Sequence, residues 1–167
     1  FTFDTYGWVA TASVILCAVS GALLAVPYDV AAPYLSVTKF VTANPAASLL
    51  RNIHYWSAQL FLVLTLIHII DHLWKGSEVN IKKKSVWFRL TLSIVFTVYV
   101  MLSGFILKAD GDSLQAHRIL SSLVSSLPWI GPMLQQTLIG KEGNFQVLYI
   151  QHAATATVIL FVIIMEH

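Results

Sequence analysis

The sequence predicts an all-α protein: a transmembrane four-helix bundle with short interfacial helices between the third and fourth spans. Three observations predict it. The chain of 167 residues is 57% hydrophobic and only 11% charged, whereas soluble domains carry about a quarter charged residues. Its mean hydropathy is +0.74, which makes lipid the natural solvent. Four uncharged stretches, Val9–Val26, Ile53–Ile70, Leu90–Leu107 and Phe145–Met165, are each about 18–21 residues long, close to the ~20 needed to cross the hydrocarbon core.

The first span stops at Pro27, since proline disfavours continuation of a helix. Between spans one and two, 28–48 carries Pro33, Asn44 and Pro45 and reads as a loop with room for a short surface helix. Between spans two and three, 75–89 packs Lys75, Lys82, Lys83, Lys84 and Arg89 into a short stretch. Short basic loops face the cytoplasm, so this loop is placed inside and the other two outside. Between spans three and four, Leu114, Leu120, Leu123 and Leu127 alternate with serines. That spacing suits an amphipathic helix lying at the interface. Pro128 and Gly131-Pro132 interrupt it, and Met133–Ile139 reads as a second short helix.

The whole chain, 1–167, reads as a single membrane-embedded domain, a fragment or partly ordered chain since it starts at Phe1 and stops at His167. No secretory signal peptide is recognisable at its start. A net charge of +2 gives no footprint for nucleic acid. The single Cys17 excludes an internal disulfide framework and a four-thiolate metal site, and it reads as a small hydrophobe.

The chemistry lies in four histidines. His54 and His68 stand fourteen apart in span two, and His152 and His167 fifteen apart in span four. Fourteen helical steps return to within roughly 40° of the starting face about 21 Å along the axis, and fifteen steps give roughly 60° and about 22 Å. An even number of crossings separates the two spans, so they run in the same direction. One histidine pair therefore meets near the outer surface and the other near the inner.

A lone intramembrane histidine is most often a hydrogen-bonding structural residue. Four at two matched depths, in a medium where such residues are costly, point to paired ligands. Two facing imidazoles suit the two axial positions of a haem iron, and six-coordinate iron favours electron transfer. Zinc or copper is the other chemistry for histidine, but a bare metal needs its ligands in one cluster, which these separations oppose.

Around these residues the sequence resembles a known family. Arg51-Asn52-Ile53-His54, Ser57-Ala58 and His68 resemble the second helix of cytochrome b from Rieske/cytochrome b (bc1/b6f-type) complexes. Trp87, Gly104-Phe105-Ile106-Leu107 and Leu127-Pro128-Trp129-Ile130-Gly131 are similar to that family's third helix and connecting helices. Gly7 and Gly21 stand fourteen apart, and Ser20-Gly21 resembles the family's Thr-Gly. The fifteen-residue spacing in the fourth span is closest to the short, split form.

The resemblance implies two b-type haems, an outer one on His54 and His152 and an inner one on His68 and His167. It implies Arg51 beside an outer-haem propionate, Trp87 hydrogen-bonded to an inner one, and glycine at 7, 21 and 104 where a haem plane nears the backbone. It further implies quinone or quinol as substrate. The partners it implies are a second membrane subunit, cytochrome b-type or other, and a peripheral redox subunit: a Rieske iron–sulfur protein, a c-type cytochrome or another. Membrane lipid surrounds the whole, in a bacterial or archaeal cytoplasmic membrane. A dihaem anchor for another respiratory enzyme and a non-redox transporter are the competing functions.

The chain departs from the family pattern after Gly104. Lys108-Ala109-Asp110-Gly111 stands where the family usually has Pro-Trp-Gly-Gln, Leu90 replaces an expected glycine, and Val147 an expected arginine. The charged exit of Lys108, Asp110 and Asp112 is expected to be wet or paired with a partner protein. His72 is expected at the headgroups, His117 on the surface, and Trp8, Trp56, Trp74, Trp87 and Trp129 mostly near span ends as anchors.

Overall fold

In the computed structural model, which describes residues 3–74 and 84–166, every regular element is helical. Four long helices are α1 (Phe3–Ala25), α3 (Pro45–Trp74), α4 (Lys84–Ile106) and α7 (Gln146–Glu166). Helix α2 (Pro33–Ala43) joins the first two; α5 (Gly111–Ser125), α6 (Gly131–Leu134) and a π-helical turn at Gln135–Ile139 join the last two. Tyr6–Ala25, Pro45–Asp71 and Gln146–Ile164 are long and apolar enough to cross a membrane, and Thr91–Ile106 is the apolar stretch described in α4.

Local chemistry sets the boundaries. Both α2 and α3 start on a proline, whose missing N–H and fixed φ suit a first turn. Asn44 caps α3, its Oδ1 accepting from the Ala46 amide at 2.8 Å. This starts α3 eight residues before the predicted apolar run, so His54 sits inside a formed helix. Asp110 caps α5, its Oδ1 accepting from the Ser113 amide at 3.0 Å. Lys84 and Arg89, expected in a loop, belong to the start of α4; 75–83 lie outside the described residues.

The bundle is two tight pairs, α1 along α3 and α4 along α7. Among the described residues α3 and α7 make no comparable backbone approach. An apolar layer of Ala10, Val14, Phe61 and Ile159, with Phe96 and Val100 against it, draws from all four helices. Phe61 lies midway between His54 and His68, so this layer separates the two histidine levels. A second cluster, Ile106, Leu107, Phe145 and Leu148, seats the connector on the bundle. Elsewhere the long helices turn apolar side chains outward: Leu16, Val63, Ile70, Phe161 and Ile164 are all exposed. In water that surface would be a large unpartnered patch; in lipid it is the expected exterior.

The connector is anchored by backbone groups that the π turn frees. The Tyr99 hydroxyl donates to the Leu138 carbonyl at 2.6 Å and the Gln151 amide to the Thr137 carbonyl at 2.9 Å. Gly140, at φ 82°, closes the turn by donating to the Gln135 carbonyl at 2.9 Å; that left-handed φ is one glycine adopts without strain. Tyr28 stacks on Tyr149 at 5.2 Å and donates to the Leu107 carbonyl at 2.9 Å, fastening the end of α1 to the exit of α4.

Candidate functional site

His54 on α3 and His152 on α7 face each other across the space between the two helix pairs, ring centroids 6.4 Å apart and planes at 66°. Imidazole–metal bonds are about 2 Å, so two imidazoles sharing one ion hold their centroids roughly 6 Å apart. The observed separation is compatible with that span.

Each ring is oriented by the neighbouring helix. His54 Nδ1 lies 2.9 Å from the Cys17 carbonyl, and His152 Nδ1 lies 3.0 Å from the Val100 carbonyl. A carbonyl only accepts, so Nδ1 carries the proton in both rings and Nε2 keeps its lone pair for a ligand. Ser20 Oγ stands 3.4 Å from His54 Nδ1, and Ser103 Oγ stands 3.0 Å from His152 Nδ1. The two arrangements correspond residue for residue: a carbonyl, a serine three positions on, then a glycine.

The glycines are sterically required. A Cβ at Gly21 would lie 2.8 Å from His54 Cε1, and one at Gly104 would lie 2.8 Å from His152 Cε1, well inside normal carbon contact. It is the imidazoles that lie against these glycines. Gly7, also on α1, is buried.

The donor set fits a haem. It supplies two imidazoles 6.4 Å apart with Nδ1 engaged by carbonyls, on helices α3 and α7 that make no comparable backbone approach, and no group of three or more His, Cys, Asp or Glu side chains among the described residues to complete a bare metal site. The macrocycle itself provides the remaining four nitrogens.

The other predicted residues are placed less fully. His68 is half-buried on α3, about four turns of the helix beyond His54; His167 lies outside the described residues, so this pair is not seen together. Arg51 is exposed on α3, one turn before His54. Trp87 is in the first turn of α4 and His72 in the last turn of α3, with both side chains outside the described residues. Trp8, Trp56, Trp74 and Trp129 are exposed at 62%, 66%, 88% and 99%, as anchors in an interface would be.

One expectation is corrected. His117 is buried, at 3% exposure, rather than on the surface: α5 turns it inward against Phe145, ring centroids 6.4 Å apart. Its Nδ1 has no hydrogen-bond partner. Burial holds this imidazole below its ordinary pKa, opposed by nearby Glu142 and the Ile139 carbonyl. The charged exit of α4 is wet in part, Lys108 and Asp110 half-buried and Asp112 exposed, and it also pairs within the chain: Lys108 Nζ meets Asp110 Oδ2 at 2.7 Å and lies 4.2 Å from the Phe105 ring centroid. Burial pushes the Asp110 carboxyl up, but Lys108 and the Ser113 bonds outweigh it and hold it below the usual range.

Sequence reasoning missed Ser103 and the Cys17 and Val100 carbonyls. The signal was present as a Ser-Gly dipeptide repeated on the first and third spans, Ser20-Gly21 and Ser103-Gly104.

The family described as Cytochrome b/b6/petB matches residues 2–167. Among curated relatives, a cytochrome b of Micropechis ikaheca is 26% identical over 141 residues, covering 83% of this chain and 37% of the relative. A cytochrome b of Pantherophis bairdi is 25% identical with the same coverage, 83% and 37%. The chain thus spans little more than a third of the length of these relatives.

Proposed function

The chain belongs to the cytochrome b/b6/petB family, and from that membership we propose that it is a dihaem b-type cytochrome subunit transferring electrons across a membrane. Its substrate side is quinol or quinone, and its complex is of the Rieske/cytochrome b type. The observation that supports this best is the facing pair His54 and His152, 6.4 Å apart on helices otherwise kept apart.

A bound b-type haem supplies reversible one-electron chemistry at its iron. The chain's own residues do the rest. His54 and His152 hold the outer haem through Nε2, with Nδ1 pinned by the Cys17 and Val100 carbonyls. His68 and His167 would hold the inner one, since fourteen helical steps beyond His54 advance about 21 Å along α3. Gly7, Gly21 and Gly104 keep space at the helix surfaces. By the family resemblance, Arg51 would serve an outer propionate and Trp87 an inner one. The apolar layer around Phe61 and Ile159 keeps water from the region between the two levels. The basic residues of 75–89 would face the cytoplasm of a bacterium or archaeon, as short basic segments do. A second membrane subunit and a Rieske protein, c-type cytochrome or other peripheral redox subunit complete the complex.

The Lys108–Asp110 pair favours a second reading, a dihaem membrane anchor that wires another peripheral respiratory enzyme to the quinone pool. An ion pair at the exit of α4 is a poor wall for an apolar quinol pocket, since charges resist burial.

A reduced-minus-oxidised spectrum with haem quantitation on the purified complex tests the proposal. Two b haems per chain are expected. His54→Leu and His152→Leu should each remove the same haem, His68→Leu the other, and His72→Leu neither. A preparation with no haem band would overturn the reading and leave the transporter. A Rieske protein co-purifying with the chain separates the first reading from the second.

A further inference from the structure

Each site histidine is held by two acceptors, and only one is backbone. Ser103 Oγ donates its own proton to the Val100 carbonyl at 2.9 Å. Ser20 Oγ donates to the Leu16 and Cys17 carbonyls at 2.7 and 3.0 Å. With each hydroxyl proton committed to backbone, each serine turns a lone pair to the histidine Nδ1–H, at 3.0 Å for Ser103 and 3.4 Å for Ser20. Both serines are sealed from solvent, at 0% and 2% exposure, so water has no route to replace either oxygen.

The two sides are unequal. The Ser103 contact is a full hydrogen bond by length, whereas Ser20 sits at the edge of the range and shares its histidine with Cys17 Sγ at 3.5 Å. The pair is also local to this level: the apolar layer of Phe61 and Ile159 lies between it and His68.

We infer that Ser103, and more weakly Ser20, are positioning residues that set the redox potential of the group held between His54 and His152. The inference rests on the haem reading above. An acceptor on Nδ1–H draws the proton away from the ring and makes Nε2 a stronger donor. A stronger donor stabilises the oxidised iron, which carries the extra positive charge, over the reduced one. The serines therefore lower the outer potential without touching the iron, and they hold the one tautomer that leaves Nε2 free.

The test is a potentiometric titration of the intact complex carrying Ser103→Ala, Ser103→Thr or Ser20→Ala, with haem content measured on the same samples. Ser103→Ala should raise the outer midpoint by a three- to tenfold change in the oxidised-to-reduced ratio, tenfold being about 59 mV for one electron. Ser20→Ala should raise it less, Ser103→Thr should restore it because the hydroxyl remains, and the inner midpoint should stay fixed. Loss of the outer haem from Ser103→Ala alone, with Ser103→Thr retaining it, also supports the positioning role. An unmoved outer midpoint in Ser103→Ala overturns the inference, as does equal loss of haem from the Ala and Thr variants. Absence of haem from the unaltered complex is the separate failure of the haem reading itself.

Discussion

Gly104→Ala adds a single methyl group, and the structure says where it goes. The new Cβ lies 2.8 Å from His152 Cε1, whereas carbon contacts settle at about 3.5–4.0 Å. The imidazole must retreat by about 1 Å. Its Nδ1 bonds to the Val100 carbonyl and Ser103 Oγ, both 3.0 Å long, then stretch to about 4 Å and are lost. At about 0.5–1.5 kcal/mol each, the ring gives up roughly 1–3 kcal/mol of orientation. Loss of such supporting partners typically costs 10–100-fold in metal affinity. Gly104→Ala should therefore take the haem content of the purified complex from two toward one, sparing the inner haem. Gly111→Ala is the matched control, since its Cβ meets nothing within 4 Å; both haems should remain. Two haems and an unchanged outer midpoint in Gly104→Ala would refute the reasoning.

Arg51→Leu should lower the outer midpoint, because a cation near a propionate favours the reduced, more negative state; the exposure of Arg51 keeps the change below tenfold in the redox ratio. An outer midpoint that holds steady removes Arg51 from the propionate. His117 predicts a pH response of the connector. Burial lowers its pKa, so the unfolded chain binds more protons between that lowered value and about 6.5, and stability rises with pH through this window. The contribution is fully present above about 6.5 and is lost as pH falls toward the lowered value. Hydrogen-exchange protection in 111–145, taken relative to the intrinsic rate at each pH, should fall on acidification, with Glu142 still ionised beside Arg118, and His117→Phe should flatten the response; identical profiles in the two proteins would exclude His117. Inhibitors of the stigmatellin type should bind the outer quinol site poorly while the Lys108–Asp110 pair stands, and tight binding beside the His54 level would restore an ordinary outer site.

The four long helices and the meeting of His54 with His152 were legible because both follow from one-dimensional periodicity: hydropathy sets one and helical rise the other. The proline starts of α2 and α3 were not legible, because Pro33 and Pro45 read as loop residues, and Lys84 and Arg89 proved to open α4 rather than to lie in a loop. Burial of His117 was not legible either, because the direction of a side chain on a short connector depends on what α7 and Phe145 place against it. Nor was the pairing of Lys108 with Asp110, which hangs on the left-handed turn at Ala109, φ 55°.

What the sequence determined by itself is therefore a membrane bundle carrying histidines at two depths, since hydropathy and helical rise act residue by residue along one chain. The tertiary structure alone decided that Val100 and Cys17 turn carbonyls to those histidines, that Ser103 and Ser20 share the same protons, and that Gly21 and Gly104 admit the rings. Those contacts join residues as much as 52 positions apart. They exist only because α1 packs on α3 and α4 on α7, while α3 and α7 stand off from each other.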